Sequence, residues 1–495
     1  MSKYIIGIDQ STQGTKVLLF NKNGEIVAKK SKSHKQIIND KGWVSHDLDE
    51  IYNNLIYLIK EIFLSSKIDE KDILGVGISD QRETAAAWEK TTGRSLAPAI
   101  VWQDSRAKEI TENLQNTKAK KYIKSVTGME LSPYFSAAKF SWLLKNEPSV
   151  RQAAEDHRLC LGTIDTWLLY RLTNGSSFQT EPSNASRTQI FDIHQLQWDK
   201  KICNLFEIPM ESLAKISDSD SLFGYTDFEG VLHHKVCIHC ILGDSQAALY
   251  GHGCWHNGDV KATIGTGSSV MMNIGQNDSI VNDVVTSIAW KINHKLEYVA
   301  EGNINYAGAV INWLAHDLKL INSADETERY ALSALTSDQT YLIPAFSGLG
   351  APYWDSNAKA ALVGMTRTTG KNEVIAASLK SIAYQIQDIL RLIDNNVKLQ
   401  SKTLNVDGGV TANNYLMQFL SDVTNAQVLV PNIEEFSAWG VALCAGKTLG
   451  IYNSLDMKNI AHVREYKPSI NDKKRSKLIK GWDDAVKLIS KKEEH

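Results

Sequence analysis

A short pattern occurs twice in this chain, and its repetition narrows the architectures open to it. Near the start, Tyr4–Ile8 and Lys16–Phe20 are apolar, β-rich runs around the small polar segment Asp9-Gln10-Ser11-Thr12-Gln13-Gly14-Thr15. Two such runs around a Gly/Ser/Thr turn read as a β-hairpin with a long turn. In the second half, Asp259–Ile264 leads into Gly265-Thr266-Gly267-Ser268-Ser269 and then Val270–Ile274, the same arrangement. A single hairpin of this kind is common. One in each half implies two related domains that face each other.

The length of 495 residues agrees, since one core rarely serves so long a chain and two domains of roughly 250 residues each are expected. The boundary is expected near residue 250, just after Gly243-Asp244, giving domains over 1–250 and 251–495. No Pro/Ser-rich linker marks it, so a hinge of packed elements is expected. Strand-like and helix-like segments alternate throughout, the mark of an α/β chain. Asp47-Leu48-Asp49-Glu50 offers a helix start. Leu48, Ile51, Tyr52, Leu55, Leu58, Ile59 and Ile62 then follow at helical spacing. Ile73–Ser79 reads as a buried strand whose end delivers Asp80-Gln81-Arg82-Glu83-Thr84 to a sheet edge, where α/β proteins place ligands. The segment Asp472–His495 reads as a solvated amphipathic end helix.

Composition excludes some functions. The 54 basic and 56 acidic side chains leave a net charge of −2, without the basic excess that nucleic-acid binding needs. No window approaches the ~18 apolar residues of a membrane span, and the apolar start is too short for a signal peptide and is broken by Asp9. The six cysteines are expected as free thiols in a reducing cytoplasm. Cys237-x-x-Cys240 has histidines nearby but no second ligand pair at finger spacing. It reads as part of a buried strand.

A Walker A loop is absent. In the nearest stretch, Gly364–Asn372, the first glycine is one residue too far back and Asn372 replaces the Ser/Thr. The two hairpin turns are the alternative phosphate cradles, because Gly, Ser and Thr let backbone N–H groups and hydroxyls approach phosphate oxygens. Lys16 could add a point charge, and Asp9 could hold Mg²⁺ directly or through water. Val406-Asp407-Gly408-Gly409 is a strand and Gly-Gly turn leading to a helix, a third place for a nucleotide. No G-x-G-x-x-G follows a strand and opens a helix, so a dehydrogenase is not supported.

A set of stretches taken in order resembles the FGGY carbohydrate kinases over essentially the full length, most of all the members that act on glycerol. They are Asp9-Gln10-Ser11-Thr12, Gln81-Arg82-Glu83-Thr84, Ile100–Gln103, Pro133–Ser136, Asn184–Thr188, Gly243-Asp244, Gly265-Thr266-Gly267, Pro344–Trp354 and Val406–Gly409. The resemblance implies two actin/hexokinase-like domains of the ribonuclease-H type with a catalytic cleft between them. It implies transfer of the ATP γ-phosphoryl group to a hydroxyl of a small polyol, glycerol foremost, with Mg²⁺. Asp244 matches the family's catalytic base. Arg82, Glu83, Tyr134 and Asp244 match polyol ligands, and Trp102 matches the aromatic wall. Thr12, Gln13, Gly14 and Lys16 fall on the first phosphate loop, Thr266 on the second, and Gly308, Asn312, Gly409 and Asn413 on the nucleotide side. Homodimer and homotetramer are both open.

The pattern is not matched throughout. Family members that act on glycerol usually carry Gln directly after the catalytic Asp and Phe two residues after the Gly-Thr-Gly; here stand Ser245, counted with the polyol site, and Ser269. The pocket is therefore expected to be wider and more polar, and a larger polyol or ketose (erythritol, xylulose, ribulose) is the alternative substrate. Gln13-Gly14 stands where Thr-Ser is frequent, so fewer hydroxyl contacts to ATP are expected. No basic glycine-rich loop for fructose 1,6-bisphosphate is evident around Asp227–His234, and no such control is expected. A non-catalytic actin-like ATP-binding protein is a reading from another class, against which the retained Asp9, Asp244 and polyol ligands speak.

Overall fold

The computed structural model describes residues 3–66, 68–115, 117–355, 357–397, 403–432, 435–453 and 463–490. The two hairpins form as expected, and each starts a sheet. Tyr4–Gln10 pairs antiparallel with Gly14–Asn21, which pairs antiparallel with Ile26–Ser33. On its other side Tyr4–Gln10 runs parallel to Ile73–Asp80, and that strand runs parallel to Val236–Gly243. The second sheet repeats this order. Val260–Ile264 pairs antiparallel with Ser268–Gly275, which pairs antiparallel with Lys295–Ile304. Thr403–Asp407 and Gln427–Pro431 then follow as parallel strands. Edge strands bring the sheets to six and seven strands. This is the ribonuclease-H type arrangement, present twice.

The first turn is tighter than the composition of residues 9–15 suggests. Pairing continues to Gln10 and resumes at Gly14, and the Ser11 N–H donates to the Gly14 carbonyl at 2.9 Å. Asp9 therefore sits inside the strand, opposite Lys16 on one side and Ser79 on the other.

The helix Leu48–Ser65 forms where its spacing predicts, with all seven of its named apolar positions buried against the first sheet. Burying side chains of this size contributes roughly 1.5–3 kcal/mol each. Asp47 caps it, its carboxylate accepting from the N–H groups of Asp49 and Glu50. Glu50 does not return the bond to the cap; its carboxylate accepts from the Lys35 N–H instead.

The opposite face of the first sheet is covered by two helices from distant parts of the chain, Asp244–Gly251 and Phe436–Thr448. They pack almost backbone to backbone. A Cβ on Gly440 would stand 1.9 Å from the Ala247 carbonyl oxygen, and one on Gly77 would stand 2.4 Å from that of Val441. A late helix thus locks the start of the helix that carries Asp244 onto the sheet.

The second core lies around the other sheet and the long helix Lys371–Asn396. The end helix, Asp472–Lys487, is docked on it rather than solvated: Trp482 is buried, stacks on Tyr384 at 5.0 Å, and donates its indole N–H to Asp388 at 2.7 Å. An amphipathic pattern marks one face as apolar; the indole and its buried acceptor make that face a core element. Among the described residues no helix is long and apolar enough to cross a membrane.

The Gly440 contact yields a direct test. Gly440→Ala is expected to lower unfolding free energy by about 3 kcal/mol or more, at the upper end of overpacking effects, read from denaturant midpoints. A loss below about 0.5 kcal/mol, the range of neutral surface changes, would contradict the contact.

Candidate active site

The parallel strands of the first sheet end together, so Asp9-Gln10, Asp80 and Gly243 share one edge. Beyond Asp80 the chain turns sharply. The Thr84 N–H donates to the Arg82 carbonyl at 2.8 Å, and Glu83 is held at φ 61°. A left-handed non-glycine residue costs on the order of 1–3 kcal/mol and persists where its surroundings enforce it. Here the enforcement is ionic.

Arg82 donates through both arms of its guanidinium to Glu301, at 3.0 and 3.1 Å, and its Nε lies 3.1 Å from Asp244 Oδ1. Arg187 pairs with Glu83 and also with Glu301, at 3.0 Å. The charges therefore alternate along a chain: Glu83, Arg187, Glu301, Arg82, Asp244. All but the last are buried; the Asp244 side chain is 34% exposed. Burial opposes ionisation of Glu301, and Arg82 and Arg187 together overcome it, holding its carboxyl far below the usual range. Burial likewise works against the Arg82 charge, and Glu301, Glu83 and Asp244 outweigh it.

Asp244 opens the helix Asp244–Gly251 directly after Gly243. The Ser183 hydroxyl, itself bonded to Glu181, accepts the Gly243 N–H at 3.0 Å and so fixes where that helix begins. The Ser245 N–H donates to Asp244 Oδ1 at 2.6 Å and the Ser245 hydroxyl reaches it at 3.2 Å. Among the described residues every hydrogen bond and ion pair of this carboxylate falls on Oδ1, which leaves Oδ2 available to accept a proton. Gln246 is buried, accepting from Arg82 at 3.3 Å and donating to the Ile288 carbonyl.

Trp102 and Tyr134 meet edge to face at 5.5 Å, and the Trp102 indole donates to the Thr12 hydroxyl at 2.8 Å. The aromatic wall and the first loop are thereby joined. Tyr134 rides on a loop gathered by Lys139, whose buried ammonium donates to the carbonyls of Pro133, Tyr134 and Phe135. Burial pushes that ammonium down to about 7.

In the first loop, Gln36 donates to the Thr12 carbonyl at 2.6 Å, and the Gln13 carbonyl accepts from the His34 N–H. Gly14 leaves no room for a side chain, since a Cβ there would stand 2.5 Å from the Lys32 carbonyl oxygen. The Lys16 ammonium lies 2.7 Å from Glu435, which Lys29 also holds. In the second loop, the Thr266 carbonyl accepts from the N–H groups of Ala307 and Ala309, and the Gly265 carbonyl from that of Gly308. Gly308 opens the helix Gly308–His316, with Asn312 exposed one turn on, and packs against Val410 beside Gly409. Asn413 caps the helix Asn414–Thr424 by accepting from the Leu416 N–H. Thr266, Gly308 and Gly409 are thus gathered, and Asn312 and Asn413 lie on the helices that start there.

Asp9 is buried, accepts from the Ser79 hydroxyl at 3.2 Å, and is pushed up to about 7 by burial, with Asp244 and Glu435 adding to the rise and Lys16 opposing it. Among the described residues no group of three or more His, Cys, Asp or Glu side chains is gathered to hold a metal ion, so a magnesium ion here would rest on Asp9, water and the phosphates themselves, as that ion usually does.

Three residues without an assigned role in the sequence reading complete the site. Arg187 lies in the stretch Asn184–Thr188. Glu301 is one of three charged residues in the strand Lys295–Ile304, and its partners lie in the other half of the chain, so no local pattern sets it apart. Lys139 carried no signal, because carbonyl partners leave no mark on a sequence.

Residues 4–251 match the N-terminal domain, and residues 260–449 the C-terminal domain, of the FGGY family of carbohydrate kinases, and the chain belongs to that family. It is 42% identical to glycerol kinase 1 of Thermotoga maritima, over 98% of this chain and 99% of that protein. It is 40% identical to the glycerol kinase of Brevibacillus brevis, over 98% of each. The crystal structure of Plasmodium falciparum glycerol kinase with ADP matches with a TM-score of 0.93 at 34% identity, covering 99% of this chain and 98% of that one.

The support under the first loop is sensitive to acid. The Gln36 and Gln81 amides meet the two ring nitrogens of His46 at 2.6 and 3.2 Å. Burial, with His34 adding to it, pushes this imidazole down to about 3. The folded value lies below that of the unfolded chain, ~6.5, so the unfolded chain takes up the proton first as pH falls. The stability that depends on neutral His46 is complete above about pH 6.5 and is lost progressively toward about pH 3. Denaturant midpoints are expected to fall less between about pH 7 and about pH 4 in His46→Gln than in the wild type. An equal fall in both would contradict this.

Proposed function

We propose that this chain transfers the γ-phosphoryl group of ATP to a terminal hydroxyl of glycerol, forming sn-glycerol 3-phosphate. The observation that carries the reading is the state of Asp244: half-exposed, anchored through one oxygen by Arg82 and Ser245, with the other oxygen available. The relatives named glycerol kinase over their full length support glycerol as acceptor.

A polyol gains little from neutral contacts in place of water, so charged partners must hold it. Arg82 and Glu83 supply these, Tyr134 adds a phenol, and Trp102 covers the carbon chain. The acceptor oxygen attacks the γ-phosphorus as its proton passes to Asp244. A new P–O bond forms, the bond to the β–γ bridging oxygen breaks, and ADP leaves. Such transfer depends on positioning and on neutralising phosphate charge. Thr12, Gln13 and Gly14 in one loop and Thr266 in the other would present backbone N–H groups and hydroxyls to the phosphates. Lys16 would add positive charge from its place beside Glu435. Gly308, Asn312, Gly409 and Asn413 would receive the nucleoside.

Asp9 is the residue assigned to Mg²⁺, since the surroundings that push its carboxyl up to about 7 would be relieved by a cation. When bound, the ion offsets charge on the β- and γ-phosphate oxygens. The division of labour follows the halves, with a boundary placed near residue 250, the acceptor site before it and the nucleotide site after. The cytoplasm, with its reducing conditions suited to the six free cysteines, is the compartment this reading gives the enzyme.

A larger acceptor is favoured by one observation. Ser245 and Ser269, both short, turn their hydroxyls to Asp244 and Glu301, at 3.2 and 3.0 Å, and bring no apolar bulk to the site. ADP release measured across glycerol, erythritol, xylulose, ribulose and dihydroxyacetone decides. Glycerol is expected to give the highest kcat/KM; a value about tenfold below another acceptor, roughly 1.4 kcal/mol of transition-state binding, would transfer the assignment to that acceptor.

Asp244→Asn removes the proton acceptor while keeping the shape. It is expected to lower kcat by about a hundredfold or more, the usual scale of general-base catalysis, with ATP binding within a few-fold. Turnover within about tenfold of wild type would remove Asp244 as the base.

A further inference from the structure

Glu301 belongs to the second sheet, yet its partners Arg82 and Arg187 belong to the first half; it lies 219 residues from Arg82 in sequence and its side chain is 0% exposed. Its two oxygens are fully used. Oε1 accepts from Arg82 Nη2 and from the Ser269 hydroxyl at 3.0 Å, and Oε2 accepts from Arg82 Nη1 and Arg187 Nη1. The forked end of Arg82 is the part that pairs best with a carboxylate, because two parallel N–H bonds match its two oxygens. Glu301 occupies that fork. Asp244 is left with Nε alone, and so with a single tethered oxygen.

We propose that Glu301 is a positioning residue for the phosphoryl transfer: by holding the Arg82 fork, it keeps Arg82 from engaging both oxygens of Asp244 and so preserves the base. This rests on the kinase reading given above. Without the carboxylate, Arg82 and Arg187 would both lose a buried partner, and Asp244, which Arg82 already contacts through Nε at 3.1 Å, is an anion its freed fork could turn to. A two-pronged pair there would occupy the oxygen that must take the proton and would turn Arg82 away from the polyol. Ser269 fixes the orientation of the Glu301 carboxylate, so its hydroxyl acts in the same sense more weakly. Because the clamp comes from the other half of the chain, the acceptor site is complete only when the two halves are packed together.

Steady-state kinetics of Glu301→Gln, Glu301→Asp and Ser269→Ala, with both substrates varied and with thermal unfolding in parallel, test this. Glu301→Gln is expected to lower kcat and raise the acceptor KM, together costing at least about tenfold in kcat/KM, while the KM for ATP stays within about twofold. Glu301→Asp, which keeps the charge, is expected to recover part of the loss. Ser269→Ala is expected to fall in the same direction by about two- to fivefold, and it remains readable should Glu301→Gln fail to fold. Parallel losses for ATP and acceptor, or Ser269→Ala kinetics equal to wild type, would overturn the role. A wild-type chain that phosphorylates none of the polyols would instead defeat the kinase reading, and this role with it.

Discussion

The structure turns on a buried row of alternating charges that joins its two halves. Taking five ionised side chains toward the interior carries a heavy desolvation cost, and in isolation such groups would neutralise or drag in water. The row persists because its three inner members, Arg187, Glu301 and Arg82, each have an opposite charge on both sides, while Glu83 at the buried end is paired with Arg187. Buried ion pairs are weak evidence for stability. What they provide here is geometry: each guanidinium has its directions of bonding assigned, so the one carboxylate that reaches solvent, Asp244, is held by one oxygen.

That geometry needs a rigid frame, which the duplicated sheet supplies. The same strand order in both halves sends the parallel strands to a common edge, and the functional segments leave from those edges: Arg82 and Glu83 after one strand, Asp244 after another, the Gly265–Gly267 turn and Gly408-Gly409 after their counterparts. The halves are also interleaved. The helix Phe436–Thr448 lies on the first sheet, against the helix of Asp244, through contacts only glycine permits. The loops that flank the site are held from behind by hydrogen bonds to Gln36, Ala307 and Gly308, so few of their groups need to reorganise when a ligand arrives.

Much of the fold was legible in the sequence, because it is written in local signals. The hairpins, the helix after Asp47 and the strand before Asp80 each follow from periodicity over a handful of residues. The end helix was misjudged as solvated, since periodicity reports an apolar face but not what covers it; Trp482 is covered by Tyr384 and Asp388, about a hundred residues away in the chain. Within the site, Asp244, Arg82 and Glu83 were legible through short motifs, and the structure brings them together. The partners that give them direction were not. Glu301 acts across the halves, and Lys139 acts through carbonyl oxygens that every residue possesses, so neither function has a local pattern.

The account depends on an alcohol oxygen lying between the Asp244 carboxylate and the terminal phosphate of a nucleotide. A crystal structure with glycerol and a non-hydrolysable ATP analogue measures this directly. The expected result is a glycerol hydroxyl roughly 3 Å from Asp244 Oδ2, in line with the γ-phosphorus and within reach of Arg82 and Glu83. Glycerol bound elsewhere, or an Asp244 with both oxygens taken up by Arg82 in the ternary complex, would contradict it.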